Sequence, residues 1–309
     1  MNNESFIDDR SRGYQIPLAA TNDPRRFCLE WIKPCGTPRV LDVGCACGDF
    51  AAALKKECAA LIWGMEYNPR SLAVAKRTAA FEEVFQIDLN ALNVETYSVF
   101  KGFFDYIVLG DVLEHLLEPQ RVLAKLKTFL KERGRFLISL PNVAHASVKA
   151  NLLMDVFEYT PVGLLDETHL RFFTYKTIPD FLAHEGLVIE DVKVTGLPYR
   201  GMQTRNVYAE LPRAVKKQIL SDRYSYVCQF VLNVRADCVK SREELCAVNR
   251  NKLVLDDTTL SDTLKALRVT ALRDELFYWA RLRKIRYFVL SKILTGAKRE
   301  RYRRKWEKA

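Results

Sequence analysis

Short apolar runs alternate with helical patterns along the chain from about residue 38. Short continuous apolar runs are typical of buried strands, and apolar residues that recur every three or four positions are typical of amphipathic helices. The predicted strands are residues 39–44, 61–67, 84–89, 104–111 and 134–141. The predicted helices are residues 49–59, 69–79 and 118–134, the last with Gly134 as its stop. Strands that alternate with helices predict a parallel sheet that is covered on both faces.

The pattern changes in the last third of the chain. Two further predicted strands, 187–196 and 224–236, have no ordinary crossover helix closely linking them, so we expect them to form an antiparallel edge. Beyond them the strand signal fades and the chain is mostly helix-forming. The sequence therefore predicts an α/β domain over residues 1–239, with a seven-stranded, mostly parallel sheet whose core begins at about residue 38. A helical extension over residues 240–309 follows it.

The composition favours a cytoplasmic protein. The chain has 309 residues, of which 49% are hydrophobic, enough for one large domain with an appendage. Its apolar runs stay short of the roughly 18 to 20 residues that span a bilayer. The first 24 residues contain no continuous apolar core, so a secretory signal is not expected. Eight cysteines are scattered among the predicted strands and helices, which indicates reduced thiols.

The stretch VLDVGCACGDF joins the first predicted strand to the first predicted helix. Cys45 and Cys47 have one residue between them, and no second cysteine or histidine pair follows at zinc-finger spacing, so a zinc site is not expected. A dinucleotide loop needs G-x-G-x-x-G, whereas three residues separate Gly44 from Gly48 here. Asp42 would repel a pyrophosphate and suits a ligand whose nearby end is cationic.

These residues resemble the first motif of the class I S-adenosylmethionine-dependent methyltransferases, an acid followed by a glycine-rich turn. Asp42, Gly44 and Gly48 match the motif, and Ala46 replaces its middle glycine with another small residue. The resemblance implies a Rossmann-like sheet, S-adenosylmethionine as the cofactor and a methyltransferase activity. It also places Cys45, within the turn, at the cofactor.

Three more acids stand where this resemblance predicts cofactor contacts. Glu66, followed by Tyr67, ends the second predicted strand and is expected to accept hydrogen bonds from both ribose hydroxyls. Asp88, followed by Leu89, ends the third and is expected to bind the adenine amino group. Asp111 follows the fourth, beside the cofactor pocket. Each acid alone could merely cap the next helix, but together they mark the strand ends at which open α/β sheets bind ligands.

The segment after the fifth predicted strand, residues 139–177, indicates the acceptor. Its runs PNVAH and LDETHLRFFT resemble a methyltransferase subgroup that accompanies glycosyltransferases in glycan biosynthesis. The resemblance covers about residues 38–236 and implies O-methylation of a sugar hydroxyl in a surface glycan, a lipopolysaccharide or its precursor. One alternative acceptor is a small hydroxylated metabolite or quinone precursor. Another alternative is a nucleic-acid-associated binding protein that uses the basic C-terminal tail.

A hydroxyl acceptor needs a base within hydrogen-bond reach to remove its proton. His169 is the first candidate, with Asp166 as the neighbouring carboxylate that would orient the imidazole. His145, just past the fifth predicted strand, is the second candidate. We expect His115 and His184 to be structural, the latter because a cation suits a helix end.

Three aromatic residues, Phe172, Phe173 and Tyr175, follow His169. They either line an acceptor pocket or belong to the core, and core placement is the more common role of such runs. No metal site is predicted, because no acidic cluster clearly demands magnesium. Asp111 and Asp166 could nevertheless converge in space.

The excess positive charge lies at the C-terminus. Residues 281–309 hold twelve Lys and Arg against two Glu, which equals the formal net charge of +10 of the whole chain. Apolar residues recur there at helical spacing: Tyr278, Leu282, Ile285, Val289 and Ile293. Such a helix could dock on its own domain or a second subunit, lie on an anionic membrane, or bind a glycosyltransferase. Nucleic acid is the least favoured partner, because a basic patch is a weak signal.

Overall fold

A seven-stranded sheet organises the part of the chain that the computed structural model describes, residues 23–32, 36–196, 210–237 and 239–254. Its strands are β1 (Arg39–Val43), β2 (Leu61–Glu66), β3 (Glu83–Gln86), β4 (Phe104–Gly110), β5 (Leu130–Pro141), β6 (Leu187–Gly196) and β7 (Val227–Ala236). Their spatial order is β3-β2-β1-β4-β5-β7-β6. Strands β1 to β5 pair in parallel, and β7 is antiparallel to β5 and β6. The predicted mostly parallel sheet with an antiparallel pair at one edge is confirmed.

Local capping signals begin several of the helices. The described α-helices are α1 (Pro24–Ile32), α2 (Asp49–Glu57), α3 (Pro69–Ala75), α4 (Pro119–Lys127), α5 (Ala146–Leu152), α6 (Ile178–His184), α7 (Arg213–Ser221) and α8 (Arg242–Leu253). The Asn68 side chain caps α3 by accepting a hydrogen bond from the backbone N–H of Arg70 at 2.8 Å. A capping box formed by Ser241 and Glu244 begins α8.

The core lies on both faces of the central strands. On one face, α1 and α2 bury Ile32 and Leu54 against Ile62 of β2. The next residue, Trp63, points to the opposite face, as alternate residues of a strand do. There its ring meets the ring of Phe104 edge to face at 5.6 Å, within a cluster of aromatic side chains. The cluster comprises Trp63, Phe85, Tyr97, Phe100, Phe103, Phe104 and Phe129.

The helix predicted over residues 118–134 is too long. In the structure α4 ends at Lys127 and β5 begins at Leu130, so Gly134 lies inside a strand and does not stop a helix. The reason is the close approach of β4, because a Cβ atom on Gly134 would lie 2.9 Å from the carbonyl oxygen of Phe104. Helical periodicity does not reveal this contact, since the two residues lie on different strands.

Helix α8 packs on the sheet domain just beyond the predicted boundary near residue 239. The side chain of Asn249 is completely buried, and its oxygen accepts a hydrogen bond from the backbone N–H of Ile189 at 2.8 Å. Its nitrogen donates to the carbonyl oxygen of Leu187 at 2.9 Å. The rest of the predicted extension, residues 255–309 with the basic tail, lies outside the described residues. Among the helices that are described, none has the length and apolar content that crossing a membrane requires.

Candidate active site

The turn between β1 and α2 is left-handed at three positions. Gly44, Ala46 and Gly48 have φ angles of 70°, 45° and 88°. The backbone N–H of Gly44 donates to the carbonyl oxygen of Met65 at 2.7 Å, which draws the turn against the end of β2. A Cβ atom on Gly44 would lie 2.7 Å from a methyl group of Val112, so the position requires glycine. Ala46 adopts its left-handed angle without that freedom, at a cost of about 1 kcal/mol.

Glu66, the last residue of β2, holds this turn in place. One carboxylate oxygen accepts a hydrogen bond from the backbone N–H of Ala46 at 2.8 Å, and the other accepts from that of Asn68 at 2.7 Å. A carboxylate has about four acceptor positions, so roughly two remain for the hydroxyls of a ligand. Tyr67, the next residue, is 69% exposed. Glu66 therefore both shapes the turn and can bind a diol.

Asp42 lies beneath the turn, near the end of β1. Its side chain is buried, and its Oδ2 atom has no hydrogen-bond partner among the described residues. Burial and the nearby charge of Glu66 raise the pKa of Asp42 to about 7, from an ordinary value of 3.8, although Arg25 opposes that rise. A buried acceptor without a partner destabilises the fold, so the position favours a cationic ligand that would satisfy it.

Asp88 and Leu89 follow β3 at the same edge of the sheet. The Oδ1 atom of Asp88 accepts a hydrogen bond from the backbone N–H of Asn90 at 2.9 Å and so caps the short 3-10 turn Leu89–Ala91. The Leu89 side chain is buried, whereas Asp88 is exposed. Asp88 therefore caps the turn that follows it, which is one of the roles that the sequence allowed. It is also exposed, as the predicted contact with adenine requires.

Asp111 follows β4 and is held from two other strands. It has a left-handed φ of 54°. Its Oδ1 atom accepts a hydrogen bond from the hydroxyl of Ser139 at 2.6 Å, and both its oxygens lie within 2.8 Å of the Gln229 amide nitrogen. Burial raises the pKa of Asp111, while these two hydrogen bonds oppose the rise. The sequence predicted Asp111 at the site but not the partners on β5 and β7 that orient it.

Arg25 of α1 is a site residue that the sequence did not reveal. Its guanidinium pairs with Asp23 at 2.6 Å. Burial alone would lower the pKa of Arg25, but the bond to Asp23 and the charges of Asp49 and Asp111 raise it. Arg25 thus stays charged beside the acids of the opening. It lies before the first predicted strand, and no motif there marks it.

A second group of polar side chains follows β4 and meets the segment 139–177, from which the sequence predicted the acceptor, so we call this region the acceptor side. Glu114 belongs to the 3-10 turn Leu113–His115 and is 1% exposed. Neither of its carboxylate oxygens has a hydrogen-bond partner in the described part of the chain. One ligand atom each from Glu114, His115 and His169 lie within 4.8 Å of one another, and the two imidazole rings are 4.8 Å apart. We call these three residues the Glu–His–His cluster.

Burial shifts the pKa values of two residues of the Glu–His–His cluster, Glu114 and His169. Burial, and next the charge of Asp111, raise the pKa of Glu114 well above its ordinary value. Burial, and next the proximity of His115, lower the pKa of His169. The lowered pKa of His169 favours its neutral imidazole, which has one lone pair. This convergence of His115 with His169 is a feature that the sequence did not predict.

Hydrogen bonds decide which nitrogen of each imidazole carries the lone pair. The Nδ1 atom of His115 lies 3.2 Å from the carbonyl oxygen and 3.0 Å from the hydroxyl of Thr168. The Nδ1 atom of His169 lies 3.3 Å from the carbonyl oxygen of Leu164. Since a carbonyl only accepts, both Nδ1 atoms carry hydrogen, and both Nε2 atoms carry the lone pair.

The other predicted catalytic residues take supporting positions. Asp166 accepts hydrogen bonds from the backbone N–H and hydroxyl of Thr168 at 2.8 and 2.6 Å, and the Thr168 hydroxyl faces His115. The charge of Asp166 also acts on His169, where it opposes the lowering of the pKa. His145 is completely buried, and its Nδ1 atom caps α5 by accepting from the backbone N–H of Ser147 at 3.2 Å. This placement favours a structural role for His145.

The three predicted aromatic residues separate. Phe172 is partly exposed, and its ring lies 6.3 Å from that of His169. Phe173 is buried against Phe181 with ring centroids 4.9 Å apart. Tyr175 stacks on Tyr224 at 3.9 Å. Only Phe172 of the three therefore lies beside the Glu–His–His cluster, and the other two belong to the packing of the domain.

Comparison with known proteins identifies the family. A family profile described as a methyltransferase domain matches residues 16–192, more than half of the chain. This chain belongs to the methyltransferase domain family. The resemblance to class I S-adenosylmethionine-dependent methyltransferases, which the β1–α2 turn and the four acids predicted, is thereby confirmed.

Similar proteins share most of this methyltransferase's length. The ubiquinone biosynthesis O-methyltransferase of Xylella fastidiosa is 30% identical over 197 residues, which are 62% of this chain and 77% of that protein. The protein of the same name from Xanthomonas axonopodis pv. citri is 28% identical over 197 residues, 62% of this chain and 80% of that one. The glycan-specific part of the predicted resemblance finds no support in these relatives, which are named for quinone biosynthesis.

A solved structure shares the fold. It is the O-methyltransferase from a trans-AT PKS multienzyme of Brevibacillus brevis, in complex with S-adenosyl-L-homocysteine. The TM-score is 0.52 with 16% sequence identity, over 86% of this chain and 88% of that chain. The two proteins therefore share one fold over most of this chain.

Proposed function

We propose that this methyltransferase transfers the methyl group of S-adenosylmethionine to a hydroxyl oxygen of a small hydroxylated acceptor, of the kind that a quinone precursor offers. Curated relatives at 28% and 30% identity carry the name of ubiquinone biosynthesis O-methyltransferase, which supports this acceptor class. The glycan acceptor, which was expected first from the sequence, has no comparable support. The alternative acceptor therefore becomes the main proposal.

The observation that carries the proposal is the arrangement at the β1–α2 turn. Asp42 presents a buried oxygen without a partner beneath a turn where Gly44 leaves no room for a side chain. Glu66 retains acceptor positions beside it. These residues fit the cofactor, because a cationic group would satisfy Asp42 and a ribose diol would satisfy Glu66. Asp88 extends the same edge towards the adenine.

The acceptor side supplies the group that handles the hydroxyl proton. S-adenosylmethionine, when bound, supplies an electrophilic methyl carbon whose bond to sulfur breaks, with its electron pair left on sulfur, as the acceptor oxygen forms the new C–O bond. The hydroxyl must lose its proton, and His169 of the Glu–His–His cluster, with a lone pair on its Nε2 atom, would accept it. Holding the hydroxyl on the axis of transfer supplies much of the acceleration.

Exposed aromatic rings beside the cluster suit a flat acceptor. Phe157, Tyr159 and Phe172 are 44%, 56% and 36% exposed. The ring of Phe157 lies 5.4 Å from that of Tyr159 and 6.4 Å from that of Phe172, so the three form one continuous surface. Such a surface favours an aromatic ring or an apolar substituent over a fully hydrated glycan.

Calorimetry and mass spectrometry test the proposal in two steps. The full chain is first titrated with S-adenosyl-L-homocysteine, for which we expect binding in the micromolar range, about −8 kcal/mol. It is then incubated with S-adenosylmethionine and either dihydroxybenzoate-type acceptors or nucleotide sugars. We expect a methyl ether on the aromatic acceptor only. Folded protein that gives no heat would overturn the proposal, and methylation of the sugar alone would restore the glycan acceptor.

A further inference from the structure

We propose that Glu114, His115 and His169 bind a divalent transition-metal ion, of the class of Zn²⁺, Mn²⁺ or Fe²⁺, that coordinates the acceptor hydroxyl. This inference rests on the proposed function for the identity of the acceptor. It adds a metal site that neither the sequence nor the relatives' names indicate.

The first support is the buried carboxylate of Glu114. The side chain is 1% exposed, and both its oxygens lack a hydrogen-bond partner within the residues that the structure describes. Leaving such a group unsatisfied is costly, and proteins that bury carboxylates usually pair them or use them to bind metals. The backbone carbonyl of Glu114 is engaged by the N–H groups of Leu170 and Arg171 at 2.8 and 2.9 Å, which fixes the residue in place.

The second support is the orientation of the two imidazoles. A metal-binding histidine generally donates its other ring N–H to a carbonyl or carboxylate, which fixes the tautomer. Both rings of the cluster show this pattern: the Nδ1 of His115 faces Thr168, and the Nδ1 of His169 faces the carbonyl of Leu164. Asp166 in turn accepts from the hydroxyl of Thr168 at 2.6 Å. The Nε2 lone pairs are thereby left for a ligand.

The ligand atoms of the three residues lie slightly too far apart to bind a metal ion, and small shifts of the side chains would bring them close enough. The ligand atoms of the three residues lie within 4.8 Å of one another. Ligand atoms around a tetrahedral zinc ion lie about 3.3 Å apart, because each bond is about 2.0 Å long. Shifts of about 1 Å in these side chains would close the difference. Two of the ligands are adjacent in the turn Leu113–His115, and the third comes from the segment that this turn holds.

The donor set selects the kind of ion. Two imidazole nitrogens and one carboxylate favour first-row transition metals, whereas magnesium and calcium prefer all-oxygen sites. Three protein ligands leave at least one coordination position open, as in catalytic sites. Of the three residues, His115 is half-buried, whereas Glu114 and His169 are buried. An acceptor hydroxyl can therefore complete the coordination.

The ion would replace a free base in the reaction. A hydroxyl that coordinates a divalent cation has a lowered pKa, so its O–H bond breaks at neutral pH and the proton leaves to water. The oxygen keeps the electron pair and forms the new C–O bond, while the methyl–sulfur bond breaks with its pair left on sulfur. His169 would then act as a ligand of the ion, and the ion would hold the acceptor oxygen.

Binding of Co²⁺ to the full, chelator-treated chain tests the site directly. Titration is followed by visible absorption and by metal content after dialysis, and we expect one Co²⁺ per chain that Zn²⁺ displaces. Glu114→Gln and His169→Gln should each weaken binding at least about a hundredfold, since each removes a ligand. The matched controls, Glu118→Gln and His184→Gln, change exposed residues outside the cluster and should bind Co²⁺ within about twofold of the unaltered chain.

A third variant covers the case in which the ligand variants do not fold. Thr168→Val removes the hydroxyl that faces His115 while retaining all three ligands, and should weaken Co²⁺ binding about tenfold. Absence of stoichiometric Co²⁺ binding, or unchanged binding in folded Glu114→Gln, would overturn the metal site. Calorimetry with S-adenosyl-L-homocysteine on the same metal-free samples separates the two proposals. Heat without Co²⁺ binding removes only the metal, whereas the absence of heat in folded protein removes the proposed function.

Discussion

The cofactor side and the acceptor side of the opening are built from different kinds of contact. On the cofactor side, the Glu66 carboxylate accepts hydrogen bonds from the backbone N–H of Ala46, in the turn after β1, and from that of Asn68, two residues further along the chain. On the acceptor side, His115 bonds to Thr168, which is 53 positions away, and the backbone carbonyl of Glu114 accepts hydrogen bonds from the N–H groups of Leu170 and Arg171. The first side is therefore specified by short motifs, and the second only by the folded chain.

The two sides also differ in how their buried acids are satisfied. Asp42 and Glu114 are both buried with unpartnered oxygens among the described residues. Asp42 lies next to the glycine-rich β1–α2 turn, whereas a carboxylate oxygen of Glu114 lies within 4.8 Å of ring nitrogens of His115 and His169. This difference matches the two different ligands that we propose, a cofactor at the turn and a metal ion at the Glu–His–His cluster. Changes on one side should leave ligand binding on the other largely intact, and the predictions below test that separation.

The largest expected effect is on the acceptor side. His169→Ala should lower the rate of methyl transfer about 10²- to 10⁴-fold, because the variant loses the imidazole that acts on the acceptor hydroxyl. The affinity for S-adenosyl-L-homocysteine should stay within about twofold, since His169 lies outside the β1–α2 turn. Turnover assays and calorimetry on one preparation measure both. Unchanged turnover would remove His169 from the chemistry, and a parallel loss of cofactor affinity would break the separation of the two sides.

The next effect concerns Asp42, where stability and binding should oppose each other. Its pKa is raised from 3.8 to about 7. An acid with a raised pKa in the folded protein destabilises the fold when it is ionised. For Asp42 this destabilisation is absent below about pH 4 and complete above about pH 7, where it lowers the free energy of unfolding by about 4 kcal/mol or less. Asp42→Asn should therefore stabilise the fold at about pH 8, and less so at about pH 5.5, while it weakens cofactor binding.

Urea unfolding at both pH values measures the difference in free energy of unfolding between Asp42→Asn and the unaltered chain. Asp49→Asn is the control. Asp49 is an exposed acid at the start of α2, so its replacement should not produce a gap that widens with pH. An Asp42→Asn variant that is less stable than the unaltered chain at about pH 8 would contradict the account of Asp42.

The same ionisation predicts how cofactor binding depends on pH. S-adenosyl-L-homocysteine has no sulfonium charge, but its α-ammonium group favours the ionised form of Asp42, whose fraction rises from about one tenth at pH 6 to about nine tenths at pH 8. The affinity for S-adenosyl-L-homocysteine should therefore rise about tenfold over this range, before the ligand's own titration is considered. Calorimetry across the range measures it, and Asp42→Asn should flatten the profile. A steeper profile in that variant would assign the dependence to another group.

The smallest expected effect is at Ala46. Its φ of 45° is left-handed, so Ala46→Gly should relieve strain and stabilise the fold by about 1 kcal/mol or less. Gly48→Ala should do the opposite, because a Cβ atom there would lie 2.8 Å from the ring of Phe81. Thermal unfolding of both variants measures the difference. Equal melting temperatures would show that the turn tolerates either residue.

Much of the fold could be predicted from the pattern of the sequence. Each strand of the parallel sheet is an apolar run of its own, and the acids Asp42, Glu66, Asp88 and Asp111 stand next to those runs. What failed was the boundary between α4 and β5, since the close approach of Gly134 to Phe104 is not local. The roles of Asp166 and His145 also depended on partners that spacing does not show.

The sequence by itself determined the sheet, the β1–α2 turn and the positions of the four acids at the strand ends, because hydrophobic periodicity and a glycine-rich turn are properties of consecutive residues. Only the tertiary structure decided the acceptor side. It brought Glu114 and His115, at the end of β4, to within 4.8 Å of His169 in a segment that packs across them. Burial then left the Glu114 carboxylate without a partner among the described residues and lowered the pKa of His169, and neither effect is a property of the separate segments.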